Sequence, residues 1–350
     1  KAASVSRAIQ EYNKNSTDRQ INNLIIHTGQ HFDKNMSDVF FADLDIFQPD
    51  YNLQISDLAH GAMTGRMLEA IEGVLKEERP NLVLIYGDTN STLAGALAAI
   101  KLKIPIAHIE AGLRSYNLKM PEEINRILAD RISTYLFCPT ETAVSNLAKE
   151  GITESVYNVG DVMYDAALYY GDKAKQKINL SSWGLKECQY VLCTIHRAEN
   201  IDNNNRLATI LEALREIAVK TTVLLPIHPR TRHRLQKFHK EHWLKGITVI
   251  DPLPYLEMIR LEMSAKMILT DSGGVQKEAF FHQVPCVTMR DETEWIETVE
   301  LGWNKVVGTD KDLILDAFNN SNQPPIVSSL PYGEGRASEL ILKLITNQTS

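Results

Sequence analysis

The sequence predicts an α/β protein of two doubly wound domains, each a parallel sheet covered by helices on both faces. Three observations carry this expectation. Short apolar, β-branched runs alternate with helical periodicity along nearly all of the 350 residues. Most of these runs are apolar on both sides, as strands buried from above and below must be. Six of them end in ionisable residues, where open α/β sheets place their ligands.

The chain opens in a helix-like segment beginning at Ala2. Strict alternation predicts a strand ahead of it, absent from this sequence. Strands follow at 24–27, 82–86, 104–109, 135–138 and 156–159. A second series is expected at 191–194, 222–226, 248–250, 267–270, 286–289 and 305–307. Helical patterns lie between them, among them 92–102, 122–131, 206–219 and 275–281. Charge and polarity rise over 166–186, so the predicted domains are 1–168 and 169–350, with a C-terminal helix able to return to the first.

A chain of 350 residues exceeds one core of common size. Hydrophobic content of 44% with 23% charged residues fits an ordinary globular protein, and a net charge of −7 without a basic stripe speaks against nucleic acid as partner. No apolar run approaches the roughly 18 residues that a membrane helix requires. Cys138, Cys188, Cys193 and Cys286 lack CxxC spacing and read as reduced thiols of a cytoplasmic protein. The histidines lack zinc-site spacing, so no metal is expected.

The most informative motif is Thr270-Asp271-Ser272-Gly273-Gly274-Val275-Gln276-Lys277-Glu278. It reads as a strand, a glycine turn and a helix start, whose free N–H groups and dipole favour phosphate. Glu278, one turn on, could accept hydrogen bonds from ribose. The alternative is a βα turn with glycines for packing alone. Further strand ends carry Gly87-Asp88-Thr89, Glu110-Ala111-Gly112-Leu113-Arg114, His196-Arg197-Ala198-Glu199-Asn200 and His228-Pro229-Arg230. Asp88 could instead cap a helix. Glu122 and Glu123, after Pro121, could compensate a helix dipole. His108 reads equally as a core histidine.

In chain order, Thr28-Gly29-Gln30-His31, Gly87-Asp88-Thr89, His108-Ile109-Glu110-Ala111-Gly112-Leu113-Arg114, Pro121-Glu122-Glu123-Ile124-Asn125-Arg126, His196-Arg197-Ala198-Glu199-Asn200, Asp271-Ser272-Gly273-Gly274 and Tyr332-Gly333-Glu334-Gly335-Arg336-Ala337-Ser338 resemble the non-hydrolysing UDP-N-acetylglucosamine 2-epimerases. The resemblance runs nearly end to end. It implies two Rossmann-like domains facing across a cleft (the GT-B arrangement), a homodimer and no cofactor. It also implies inversion at sugar C2, by anti elimination of UDP to a glycal and re-addition after reprotonation. Asp88, Glu110 and Glu122 would be the active-site carboxylates, with His196 assisting UDP departure. Lys1, Arg126, His228, Ser272, Gly273, Gly274 and Glu278 would hold the UDP-sugar. Clustered carboxylates would raise one another's pKa and keep one as the acid. The family's first loop carries a Gly-x-Arg-Pro turn, of which only the following lysine, Lys1, remains here.

Two departures bear on substrate. Trp295 stands where many members have an arginine, and Phe32 replaces another in the segment that binds an activating UDP-N-acetylglucosamine. Glu294-Trp295-Ile296-Glu297-Thr298 and Asp161-Val162-Met163-Tyr164-Asp165 resemble a subgroup acting on UDP-2,3-diacetamido-2,3-dideoxy-glucuronic acid. A GT-B glycosyltransferase and a non-catalytic nucleotide-sugar binder are the rival readings, but neither needs three carboxylates in the first domain.

Overall fold

Residues 1–16, 19–30, 48–320 and 330–348 are described in the computed structural model. They divide into two units, 1–166 with 330–350, and 167–329.

In the first unit, α1 (Ala2–Asn15) leads to a short parallel pair, β1 (Ile26–His27) and β2 (Tyr51–Asn52). There follow α2 (His60–Glu78), β3 (Val83–Tyr86), α3 (Asn90–Lys101), β4 (Ile106–Ile109) and α4 (Pro121–Ile132). Then come β5 (Tyr135–Cys138), α5 (Glu141–Lys149) and β6 (Val156–Asn158). Strands β3 to β6 form one parallel sheet in sequence order. Ala107, Ile109 and Phe137 enter one core, while Ile85 and Ile106 enter the other. Burial on both faces explains the continuous apolar runs. β4 starts two residues later than the apolar run because Pro105 has no N–H for the ladder, although its carbonyl accepts from Val83 N at 3.0 Å.

Helix α6 (Val162–Lys177) contains the division between the units. The second unit has β7 (Tyr190–Thr194), α7 (Ala198–Ile201), α8 (Asn204–Ala218), β8 (Thr222–Pro226), α9 (Pro229–Lys237) and β9 (Thr248–Ile250). It continues through α10 (Tyr255–Ser264), β10 (Met267–Thr270), α11 (Gly273–Phe281), β11 (Cys286–Thr288), α12 (Ile296–Glu300), β12 (Asn304–Val306) and α13 (Lys311–Asn319). Val191, Cys193, Val223, Leu225, Met267 and Leu269 face one core, and Tyr190, Leu192, Leu224 and Ile268 the other. That is the period-two alternation of strands covered on both sides.

Strand order in this six-stranded parallel sheet is β12-β11-β10-β7-β8-β9. Read from β9, it is the Rossmann order, with its reversal between β7 and β10. A doubly wound sheet opens a crevice beyond the strand carboxyl ends at that reversal. The residues there follow Thr194 and Thr270, namely the His196 and Ser272 loops.

The C-terminal helix α14 (Ala337–Gln348) belongs to the first unit. Its Ala337, Ile341 and Leu342 share a core with Val5, Ala8 and Ile9 of α1. Asp165 accepts from the N–H groups of Ala337 at 3.0 Å and Ser338 at 2.8 Å, anchoring the helix start. Each expected strand is present within about two residues of its predicted bounds, and β2 is an addition. Cys138, Cys193 and Cys286 are buried free thiols, whereas Cys188 is exposed.

Candidate active site

In the first unit, three loops place ionisable groups beyond β3 and β4 and at the start of α4. After β3 the chain turns at Gly87 (φ +63), where an added Cβ would lie 2.9 Å from Lys1 Nζ and 3.1 Å from Glu110 Oε2. Glycine there leaves room for Lys1 to pair with the buried Glu110. Glu110 has a φ of 73°, in the left-handed region that non-glycine residues seldom occupy outside turns and functional sites. Its N–H and that of Ala111 share the Phe137 carbonyl, each at 3.1 Å. The turn closes at Gly112, where a Cβ would meet Ala143 O at 2.4 Å.

Asp88 does not cap α3. Thr89 does, through a reciprocal capping box with Thr92. The Asp88 carboxylate receives Arg126 Nε at 3.0 Å and Nη2 at 2.8 Å, and Asn125 Nδ2 donates to the Asp88 carbonyl at 2.9 Å. Of the two glutamates after Pro121, Glu123 has the structural part. It accepts from Ser115 N at 3.0 Å, Tyr116 N at 2.9 Å and Arg126 Nη1 at 2.7 Å. Burial opposes its charge, but those donors hold its pKa below the ordinary range. Glu122, half-buried, occupies the same first turn of α4.

Lys1 and Arg126, expected to hold the UDP-sugar, pair with Glu110 and Asp88 within the first unit. Asp88 and Glu110 thus each have a cation beside them.

His108 lies beneath this cluster with no exposed surface. Its Nδ1 is 2.7 Å from Asp130 Oδ1 and its Nε2 is 2.7 Å from the Gly87 carbonyl. Asp130 also accepts from Arg114 Nη1 at 2.7 Å and Gly112 N at 3.2 Å. Burial disfavours the imidazolium, but Asp130, the Gly87 carbonyl and Glu110 outweigh it, and the His108 pKa is raised. Burial likewise opposes the Asp130 charge, yet His108 and Arg114 bring its pKa down.

These directions fix the pH dependence of stability. Asp130 and Glu123, with lowered folded pKa values, stabilise the fold fully above the unfolded carboxylate pKa of about 4. That contribution is lost as pH falls through their folded values. His108, with a raised value, stabilises fully below its unfolded pKa of about 6.5 and loses this as pH rises through its folded value. Urea unfolding across pH is expected to show an acid limb and an alkaline limb, the latter missing in His108→Gln. An unchanged alkaline limb in that variant would contradict the pairing.

In the second unit, α11 begins at Gly273 with no side-chain cap from Ser272, so its first amides remain oriented for an anion. A Cβ on Gly273 would lie 2.9 Å from Glu294 Oε1, 3.5 Å from Trp295 Nε1 and 3.7 Å from Arg197 Nη2. The fully buried Asp271 accepts from His196 N at 3.0 Å, Arg197 N at 3.1 Å and Asn200 Nδ2 at 3.1 Å, tying the loop after β7 to the loop after β10. His196 Nδ1 stands 3.4 Å from the same carboxylate, and the His196 and His228 rings are 6.0 Å apart.

The His196 pKa is lowered, chiefly by burial and then by Arg197, His228 and Arg290, against the pull of Asp271. That of His228 is also lowered, by burial and by Arg230. His228 Nδ1 accepts from Arg230 N at 3.2 Å, capping α9, so the neutral ring carries its proton on Nε2 as a donor. Glu278 is buried in α11 and accepts from Tyr255 Oη at 3.1 Å. Trp295 is buried with Lys277 Nζ 4.0 Å above its ring. Phe32 lies outside the described residues.

Sequence reasoning assigned no role to Asp130, Asn200, Tyr255 or Arg290. The buried Arg290 donates to Glu294 at 3.1 Å. The i, i+3 spacing of Glu123 and Arg126 was the one available signal for their ion pair.

Comparison with known proteins bears on this arrangement. The profile of the UDP-N-acetylglucosamine 2-epimerase family matches residues 13–346. A Pseudomonas aeruginosa protein, UDP-2,3-diacetamido-2,3-dideoxy-D-glucuronate 2-epimerase, is 51% identical over 350 residues, 99% of this chain and 95% of its own. The Methanocaldococcus jannaschii UDP-N-acetylglucosamine 2-epimerase is 46% identical over 331 residues, covering 92% of this chain and 90% of its own. A crystal structure from the same organism, UDP-GlcNAc 2-epimerase with UDP-GlcNAc and UDP, superposes with a TM-score of 0.91 at 44% identity, over 99% of this chain and 96% of that one.

Proposed function

The chain belongs to the UDP-N-acetylglucosamine 2-epimerase family and is a UDP-sugar 2-epimerase, and on that premise we propose how its residues divide the reaction. The second unit retains UDP. The amides after Ser272, through Gly273 and Gly274, take the diphosphate, Nε2–H of His228 donates to it, and Glu278 takes the ribose. The first unit moves the proton at C2 with Asp88, Glu110 and Glu122. Lys1 and Arg126 serve there as counter-charges to Glu110 and Asp88.

The observation that carries the reading is the pairing of an uncapped helix start with His196 at the sheet's strand-order reversal. His196 is neutral-leaning in the free protein. A diphosphate next to it favours the imidazolium, which then donates a proton or hydrogen bond to departing UDP. Elimination leaves a glycal, and UDP adds back at C1 once C2 has been reprotonated from the opposite face.

The finer substrate in this reading is UDP-2,3-diacetamido-2,3-dideoxy-glucuronic acid, supported by Trp295 and by the 51% identity to the Pseudomonas aeruginosa protein. A cytoplasmic homodimer belongs to the same proposal. Its buried thiols suit a reducing compartment, and Tyr116, Leu118, Ile124 and Leu128 offer exposed apolar surface. The test is incubation with the UDP-sugar alone. Appearance of the manno-configured UDP-sugar without any acceptor supports epimerisation. Turnover only with an added acceptor would instead indicate a glycosyltransferase.

A further inference from the structure

Both nitrogens of the His108 ring face groups that only accept. Asp130 Oδ1 lies 2.7 Å from Nδ1 and the Gly87 carbonyl lies 2.7 Å from Nε2. A neutral imidazole has one N–H, so one of these buried contacts would be left without a proton. The ionised Asp130 is already committed to two further donors, Arg114 Nη1 and Gly112 N, on its other oxygen. Geometry alone therefore requires a ring carrying both protons.

We propose that His108 is a positioning residue: an imidazolium, charged at neutral pH, that clamps the Gly87 carbonyl and thereby sets the Gly87-Asp88 turn and the Glu110 carboxylate. The proposal rests on the reading that Asp88 and Glu110 carry the proton chemistry. Gly87 immediately precedes Asp88, and its N–H donates to Ile109 O at 3.0 Å, holding the register with β4. The residue is thus tied at both ends, by Ile109 through its N–H and by His108 through its carbonyl. His108 lies on β4 and Glu110 immediately follows that strand, two residues on.

The anions and the carbonyl facing His108 suit an imidazolium. Asp130 of α4 is the counter-ion, and Arg114 from the loop after β4 balances Asp130 further. Glu110 lies nearby, itself paired with Lys1, which directly precedes α1. Glu150, at the end of α5, takes the other side of Arg114 at 2.6 Å and 2.8 Å. The arrangement gives Asp88 a fixed turn in a site that must hold a base within hydrogen-bond reach of one sugar proton.

Two measurements on the full chain test this. The first is the two-bond 1H–15N spectrum of the histidine rings in the unmodified protein. At about pH 8, where an ordinary histidine with a pKa of about 6.5 is neutral, His108 is expected to show both nitrogens protonated. A ring that is singly protonated there overturns the charged clamp, whatever the carboxylates do. The second is His108→Gln, expected to lower kcat at least tenfold while the Kd for UDP changes less than twofold. Normal kcat in that variant overturns the positioning role.

If His108→Gln does not fold, Asp130→Asn carries the same test. Without the carboxylate, burial disfavours the charged ring, so at about pH 8 the ring should be singly protonated and kcat lowered, unlike in the parent. Failure of both variants to fold makes the histidine a purely structural residue and overturns the proposal. Full turnover in Asp88→Asn and Glu110→Gln would remove the catalytic reading but leave the ring's protonation state as measured.

Discussion

Replacing Glu110 by glutamine is expected to lower turnover by roughly 10²-fold or more, with UDP binding retained, because a placed proton donor or acceptor contributes about 10²–10⁴-fold. Glutamine keeps the shape of the side chain at this position but replaces one acceptor oxygen with an NH2 donor and cannot exchange a proton with carbon. Asp88→Asn and Glu122→Gln are expected to behave alike. The three differ in what they leave behind. Glu110→Gln removes the carboxylate beside Lys1, and Asp88→Asn removes one of the two carboxylates beside Arg126, which keeps Glu123. Each therefore loses an ion-pair contact, and stability must be measured beside the rate. Titration with UDP, whose proposed contacts are in the other unit, separates the two effects. A variant that keeps near-normal turnover identifies its residue as structural.

The second large effect is on substrate choice. Trp295 puts an indole, with a single N–H, where the family resemblance places an arginine with five donors. Lys277, fully buried, sits 4.0 Å over that ring, so the local cation is committed to the indole face. The protein is expected to turn over UDP-2,3-diacetamido-2,3-dideoxy-glucuronic acid with at least tenfold higher kcat/KM than UDP-N-acetylglucosamine, about 1.4 kcal/mol of transition-state binding. Its rate curve is expected to be hyperbolic, without activation by a second UDP-N-acetylglucosamine. Both substrates assayed on one preparation decide the matter. A sigmoidal curve with UDP-N-acetylglucosamine preferred would contradict it.

How far these features were legible follows from the range over which each acts. Runs such as 222–226 and 267–270 coincide with β8 and β10, because burial on both faces leaves an unbroken apolar signature. The Tyr51–Asn52 strand left none. It is two residues long, half exposed, and pairs across a span of the chain with no periodic pattern of its own. The glycine turn before α11 was legible because a helix start encodes its anion site within a few consecutive residues.

Pairings between distant residues were not legible. Arg126 reads as a spare cation for phosphate until the fold brings it to Asp88, and Lys1 likewise until it meets Glu110. His108 read as evenly core or functional. Its two acceptors, Gly87 and Asp130, come from a preceding loop and a following helix. Residue type and spacing show which groups are available, whereas contacts over such separations depend on strand order.

The most direct measurement follows the sugar C2 proton by NMR in D₂O, with the UDP-sugar and the protein and no acceptor. Epimerisation through a glycal predicts that the C2 signal of the starting sugar decays as deuterium enters and that the manno-configured product carries deuterium at C2 from the start. The same experiment with Glu110→Gln should show both processes slowed together. Retention of the C2 proton while product accumulates, or an unchanged spectrum with intact folded protein, would contradict proton transfer by this carboxylate cluster.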